Sequence, residues 1–171
     1  MSGHGAQASA LRSIGSSQSR AAAFYGDVFG WVAEPGDPDF GGYSNFTKDG
    51  HLVAGCMTND GTAGTPDMWS TYLAVGDAAA TAAAVEANGG AVHVPPVPVG
   101  DLGVMVLSAD PAGAAIGMWQ PGEHKGFGVI AEPGAPAWFE LHTAGYDQAL
   151  TFYRDVFGWD IYPMSEDPAF R

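Results

Sequence analysis

Ala22-Ala23-Phe24-Tyr25-Gly26-Asp27-Val28-Phe29-Gly30-Trp31 returns 128 residues downstream as Leu150-Thr151-Phe152-Tyr153-Arg154-Asp155-Val156-Phe157-Gly158-Trp159, with seven of ten positions identical. In both copies the large apolar residues recur at spacings of three and four, the pattern of one buried face of a short helix. Gly30 and Gly158 stand where a left-handed C-cap is needed, so each copy predicts a helix stopped at Gly-Trp. A string this long shared at one spacing marks a duplicated structural unit.

Working outward, Trp69 to Val75 predicts a strand, Asp77 an N-cap and Ala78 to Asn88 a helix ended by Gly89-Gly90. Ala91–Val94, Gly103–Ser108 and Ala114–Trp119 then read as strands separated by Pro-rich or Asp-Pro-Ala-Gly turns. Upstream, Phe40–Thr47 and His51–Met57 form a hairpin across Lys48-Asp49-Gly50, where the Asp-Gly pair supplies positive φ. The unit is a strand, a helix and about three strands, an α+β module present twice. Residues 121–136, with two Pro-Gly pairs and no periodicity, read as a linker. A third module opens with a strand at Trp138 to Leu141 and reaches only its helix.

Composition excludes several functions. With 46% apolar and 15% charged residues the chain is long enough for one core, and its 37 Gly and Pro residues imply many turns. A formal charge of −13 repels phosphate backbones and anionic headgroups, which disfavours nucleic acid and membrane surfaces as partners. A single cysteine, Cys56, and no signal-like start point to a reducing cytoplasm. The longest strongly apolar stretch, Val104 to Leu107, is far short of a membrane span.

The Ala-x-x-Phe-Tyr-x-x-Val-Phe-Gly-Trp helix, the Ala-Ala-x-Val-x-x-x-Gly-Gly helix and the Asp110-Pro111-Ala112-Gly113 turn before a strand ending Trp119-Gln120 resemble the vicinal oxygen chelate superfamily of glyoxalase, bleomycin-resistance and extradiol-dioxygenase proteins. The Trp138-Phe-Glu-Leu string is similar to the opening of the second domain in actinobacterial two-domain glyoxalase-like proteins, often labelled hydroxylases. The resemblance implies repeated βαβββ modules curling into an open eight-stranded cup around a small-molecule site. On that pattern residues 1–19 are a weak first strand or a disordered N-terminus and 20–120 one domain of two modules. Residues 121–136 are the linker, and 137–171 the first strand and helix of a truncated second domain. The apolar residues of that partial module, Phe139, Leu141, Phe152 and Phe157, then need a cover: another subunit, or a swap into the place of the weak first strand, giving a homodimer or domain-swapped oligomer.

Metal-dependent relatives carry His or Glu at the first strand of each module and Glu in the last. Carried over one by one, those positions fall on Ala10, Ser70, Ala54 and Gly117, so no cofactor is expected and a divalent metal is disfavoured. The histidines at 4, 51, 93, 124 and 142 show no metal-site spacing, and His51 and His124 read as solvated. Strand alternation turns Leu52, Ala54, Cys56, Ser70, Tyr72, Met105, Gly117 and Trp119 inward. That composition suits a small-molecule pocket and equally a filled core. Cys56 lacks a neighbour that must activate it, and Glu140 with His142, two apart on one strand face, form the one candidate acid–base pair. The leading expectation is a binder of a small apolar or aromatic metabolite or antibiotic, with Tyr72 and Trp119 stacking on it and Ser70 orienting it. A glyoxalase-like lyase, isomerase or oxygenase and an inactive truncated paralogue are the alternatives.

Overall fold

Ser17 and Asp77 open the two module helices by accepting the backbone N–H of Arg20 and Ala80, and Gly30 ends the first helix at φ 72°. The computed structural model describes residues 8–15 (backbone only), 17–61 and 66–163. His4 lies outside the described residues. The first module comprises β1 (Ala8–Gly15), α1 (Gln18–Phe29), β2 (Val32–Ala33), β3 (Ser44–Lys48) and β4 (His51–Thr58). The second comprises β5 (Met68–Ala74), α2 (Ala78–Ala87), β6 (Ala91–Val99), β7 (Gly103–Ala109) and β8 (Ala115–Pro121). The β3–β4 hairpin turns at Asp49 and Gly50, both at positive φ as the sequence predicts.

The strands form one eight-stranded sheet in the order β2-β3-β4-β1-β5-β8-β7-β6. In each half the first strand lies parallel to the last, Arg12 opposite Gly55 and Tyr72 opposite Gly117, and the two first strands meet antiparallel at the centre. Both edges are blunted: β2 has two residues, and β6 carries Pro95, Pro96 and Pro98, which have no N–H to offer another strand. β1 has weak strand propensity, yet its backbone pairs on both sides, because β4 and β5 present hydrogen-bonding edges that override it. No helix among the described residues is long and apolar enough to cross a membrane.

Helices lie on one face of the sheet over two apolar clusters. Under α1, Trp31, Phe46, Val53, Ala54 and Cys56 are buried, with Tyr25 and Trp69 packed beside them. Under α2, Leu73, Val75, Val85, Val106, Ile116 and Met118 form the larger cluster. The stretch read as a linker lies along the first module: Gly128 N–H donates to Leu52 O (2.8 Å), Trp31 Nε1 donates to Gly134 O (2.6 Å), and Val129 and Ala135 pack on the Trp31 cluster.

Of the two elements expected beyond the linker, the helix is present and the strand is not. The helix, α3 (Tyr146–Phe157), forms and ends at Gly158 with φ 68°, but Trp138 to Leu141 pairs with no strand, and Trp138 is 73% exposed. A strand needs a hydrogen-bonding neighbour, and both edges of the sheet are blunted. The cover for Phe152 and Phe157 comes from the same chain, since α3 seats on the alanine-rich α2 and buries Ala149, Phe152, Tyr153 and Phe157 in the larger cluster. The Tyr153 hydroxyl donates to Asp110 Oδ2 at 3.3 Å, while Asp110 Oδ1 accepts from the N–H groups of Ala112 and Ala114 in the β7–β8 turn.

Burial, then the Asp110 charge, raises the Tyr153 pKa well above its ordinary value of 10.0. A raised folded pKa means that the contribution is complete below pH 10 and lost as pH climbs through the folded value. Tyr153→Phe is expected to cost about 1 kcal/mol at pH 7 and to flatten the loss of stability above pH 10, measured by urea unfolding across pH.

Candidate functional site

The sheet face opposite the helices is where side chains from both modules converge. Ile116 and Met118 point into the helix-side cluster, so Gly117 and Trp119 point away, and the same alternation places Ser70 and Tyr72 of β5 and Met105 of β7 on that face. Tyr72 lies over Gly117, where an added Cβ would come within 2.6 Å of the ring, and its hydroxyl lies 3.6 Å from Met105 Sδ. Trp119, cross-strand partner of Met105, covers Gly103 in the same manner. Glycine is needed at each position because a ring occupies the volume of a side chain.

The first module repeats the device. Ala54-Gly55-Cys56-Met57 is the counterpart of Ile116-Gly117-Met118-Trp119, and Tyr43 covers Gly55 as Tyr72 covers Gly117. This corrects the expected facing of two residues. A register shift between Phe46 and Thr47 puts an extra residue into β4, so alternation counted from Leu52 fails beyond Val53. Ala54 lies across from Phe46 and Cys56 across from Ser44, on the side where Phe46 meets the Tyr25 and Trp31 rings of α1. Cys56 is fully buried there, and burial pushes its thiol up, away from the reactive thiolate. Leu52 does border the inner cavity.

Residues 122–128 form a strap across this face. Trp119 Nε1 donates to His124 O at 2.9 Å, the His124 ring packs on Trp119 with centroids 5.5 Å apart, and Phe127 stacks on Phe139. Burial lowers the His124 pKa, contrary to the solvated reading from sequence. Tyr43, Asn45, Leu52, Gly55, His124 and Phe127 surround a residual cavity of about 10 Å³, space for roughly one water. Tyr72 and Trp119 are 4% and 8% exposed, and Ser70 is buried with them. The chain's own aromatic rings fill most of the inner face.

Glu140 and His142 stand apart from it. Glu140 Oε2 and His142 Nε2 are 3.6 Å apart with both side chains mostly in solvent, so water screens any coupling between them. Of the positions carried over from metal-dependent relatives, Ala10, Ser70 and Gly117 stand, and the one assigned to Ala54 moves to Gly55, the counterpart of Gly117 in the register; together they offer a single hydroxyl. That donor set does not fit a divalent ion held by imidazole and carboxylate. Among the described residues no three His, Cys, Asp or Glu side chains gather elsewhere.

Residues 11–118 match the model of the Glyoxalase/Bleomycin resistance protein/Dioxygenase superfamily. The chain belongs to this superfamily. It is 40% identical over 145 residues to "Putative glyoxylase CFP32" of Mycobacterium tuberculosis, covering 82% of this chain and 56% of that protein. It is 38% identical over 151 residues to the anthracycline biosynthesis protein DnrV of Streptomyces peucetius, covering 80% of this chain and 55% of that protein. The chain thus spans about half the length of these relatives. Among solved structures, the Mn(II)-bound glyoxalase of Novosphingobium aromaticivorans superposes with a TM-score of 0.56 at 18% identity, covering 91% of this chain and 53% of that one. BphC, a halotolerant catechol dioxygenase, gives 0.57 at 13% identity, covering 89% and 54%, a likeness of fold.

The superfamily's two-module architecture accounts for the glycine pairing. Gly55 and Gly117 occupy equivalent last-strand positions, and their tyrosine covers come from different places in the two halves: Tyr43 precedes β3, whereas Tyr72 lies within β5. Asn45, Tyr43, His124 and Phe127 were not reached by strand arithmetic. Aligning the two Gly-centred strings would have placed Gly55 inward and exposed the error at Cys56.

Proposed function

We propose that this chain is a cytoplasmic protein that binds a small planar aromatic molecule on the inner sheet face without a family-type metal. The rings on the inner face, Tyr43 over Gly55, Tyr72 over Gly117 and Trp119 over Gly103, support this reading, because flat rings stack on flat ligands at little entropic cost. The mismatch between the four ligand positions and any divalent ion favours binding over metal-assisted turnover. The relatives named for anthracycline biosynthesis make polycyclic aromatic compounds the first ligand class to test.

A cavity of about 10 Å³ is too small for an aromatic ligand, so on this reading the strap moves when the ligand binds. Gly126 and Gly128 flank Phe127, and Gly122 begins the segment, so backbone rotation at these positions lifts Phe127 and His124 away from Tyr43 and Trp119. The ligand then takes the seat of those rings, stacked on Trp119 and Tyr72 with Ser70 at its edge.

The test is titration of the full chain with an anthracycline aglycone, followed by calorimetry, with and without added Mn(II). Micromolar binding without metal is expected, weakened about tenfold or more by Trp119→Ala and by Tyr72→Ala, the loss of one stacking contact each. Binding that survives both changes would place the site elsewhere. No binding up to roughly 1 mM, or binding and turnover only with Mn(II), would overturn the proposal in favour of an inactive paralogue or a metal-dependent lyase or oxygenase.

A further inference from the structure

The repeated helix motif is treated differently in its two copies. Phe152 and Phe157 of α3 are buried on α2, whereas their counterparts on α1, Phe24 and Phe29, are 59% and 42% exposed, beside Val28 and Val32 at 52% and 62%. Phe24 and Val28, four residues apart, lie on one side of the helix as an exposed apolar stripe. We propose that a second copy of this chain covers it, with α1 packed antiparallel on the partner's α1 about a twofold axis near Phe24.

Charge complementarity selects that occupant. Arg20, Phe24, Asp27 and Val28 are all exposed and lie at i, i+4, i+7 and i+8, one stripe along the helix. Arg20 and Asp27 are the only charged residues of Gln18–Phe29, so α1 is neutral within a chain of formal charge −13. They bracket Phe24 almost symmetrically. In an antiparallel self-pairing Arg20 of each copy meets the partner's Asp27, giving two equivalent ion pairs around a Phe24 contact. Such an isologous contact uses up the patch on both copies and closes the assembly at two.

The same charges oppose the helix dipole. Arg20 lies in the first turn, where negative charge is favoured, and Asp27 in the last, where positive charge is favoured. Local stability gives no reason for this placement, and a partner helix running the other way does. In α3 the equivalent of Arg20 is Gln148, so the self-complementary pattern is absent from the copy that is seated within its own chain.

This inference rests on α1 alone and does not depend on the proposed ligand. Sedimentation equilibrium of the full chain from about 1 to 200 micromolar, the range of a weak interface, tests it, with folding followed by circular dichroism. The expected species is a dimer of the 17.6 kDa chain. Phe24→Glu should abolish it. Arg20→Asp and Asp27→Arg should each weaken it about tenfold, because repulsion replaces attraction at two symmetric places, and the double reversal should restore it. Each single reversal relieves a charge opposed to the dipole, so the fold should be unharmed or firmer while dimerisation falls, a split that a purely structural role would not produce. A monomer throughout the range would overturn the proposal. A dimer indifferent to Phe24→Glu, or a double reversal as weak as the singles, would overturn it as well.

Discussion

Replacing Phe152 by alanine is expected to cost about 3–5 kcal/mol of unfolding free energy, whereas the same change at Phe24, its repeat counterpart, is expected to cost under about 1 kcal/mol. Phe152 is 1% exposed, packs edge-on against Tyr153 and Phe157, and lies so close to Gly90 that a Cβ there would come within 3.0 Å of the ring. The alanines of α2 cannot expand to refill the space, so the cavity persists and the cost reaches the upper part of the range for large-to-small changes. Phe24 loses only exposed surface and one edge contact with Tyr25. Chemical denaturation at low micromolar protein, where self-association adds least to apparent stability, compares the two directly. Equal effects, or a neutral Phe152→Ala, would mean that α3 is not seated on α2.

That contrast also shows where the sequence was legible and where it was not. Helix ends were readable because capping is local chemistry: Asp77, Gly30 and Gly158 act where their neighbours in the chain require. The repeated helix was readable because the Phe-Tyr-x-x-Val-Phe-Gly-Trp string survives in α1 and α3, while the second module of the sheet was readable only from its order of strand, capped helix and strands. What a face packs against was not readable, since Phe24 and Phe152 are the same residue in the same motif and differ only in having α2 beside one of them. The strand at Trp138 failed for a related reason: its alternation is sound, but a strand exists only with a neighbour, and the neighbour is not encoded in the segment itself. Within the site, Tyr72, Trp119, Ser70 and Met105 were placed inward correctly because β5, β7 and β8 keep strict alternation along those residues. Cys56 was placed on the wrong side because one bulge reverses everything beyond it, and a bulge leaves little trace in a run of Leu, Val, Ala and Gly. His124 and Phe127 reach the site from a Pro-Gly-rich stretch whose path depends on the first module rather than on any periodicity of its own.

The glycine beneath Tyr72 provides the most demanding test of the inner face. Gly117→Ala adds a single carbon, and in an unconstrained strand that substitution is neutral or stabilising by up to about 1 kcal/mol. Here the carbon falls inside the volume of the Tyr72 ring, which is almost fully buried and whose hydroxyl contacts Met105. The ring must therefore shift in a packed site, and a loss of about 1–3 kcal/mol is expected instead. Tyr72→Ala alone is expected to cost about 3–5 kcal/mol through the cavity it opens over Gly117. In the double variant the alanine at 117 no longer meets a ring and fills part of that cavity, so the two losses should fall short of additivity by about 1–3 kcal/mol. Urea unfolding of the four proteins gives this coupling directly. Simple additivity would show that Tyr72 does not lie over Gly117, and it would remove the stacking platform on which the proposed ligand depends, because a ring that leaves room for a Cβ at 117 points away from the Trp119 side of the sheet.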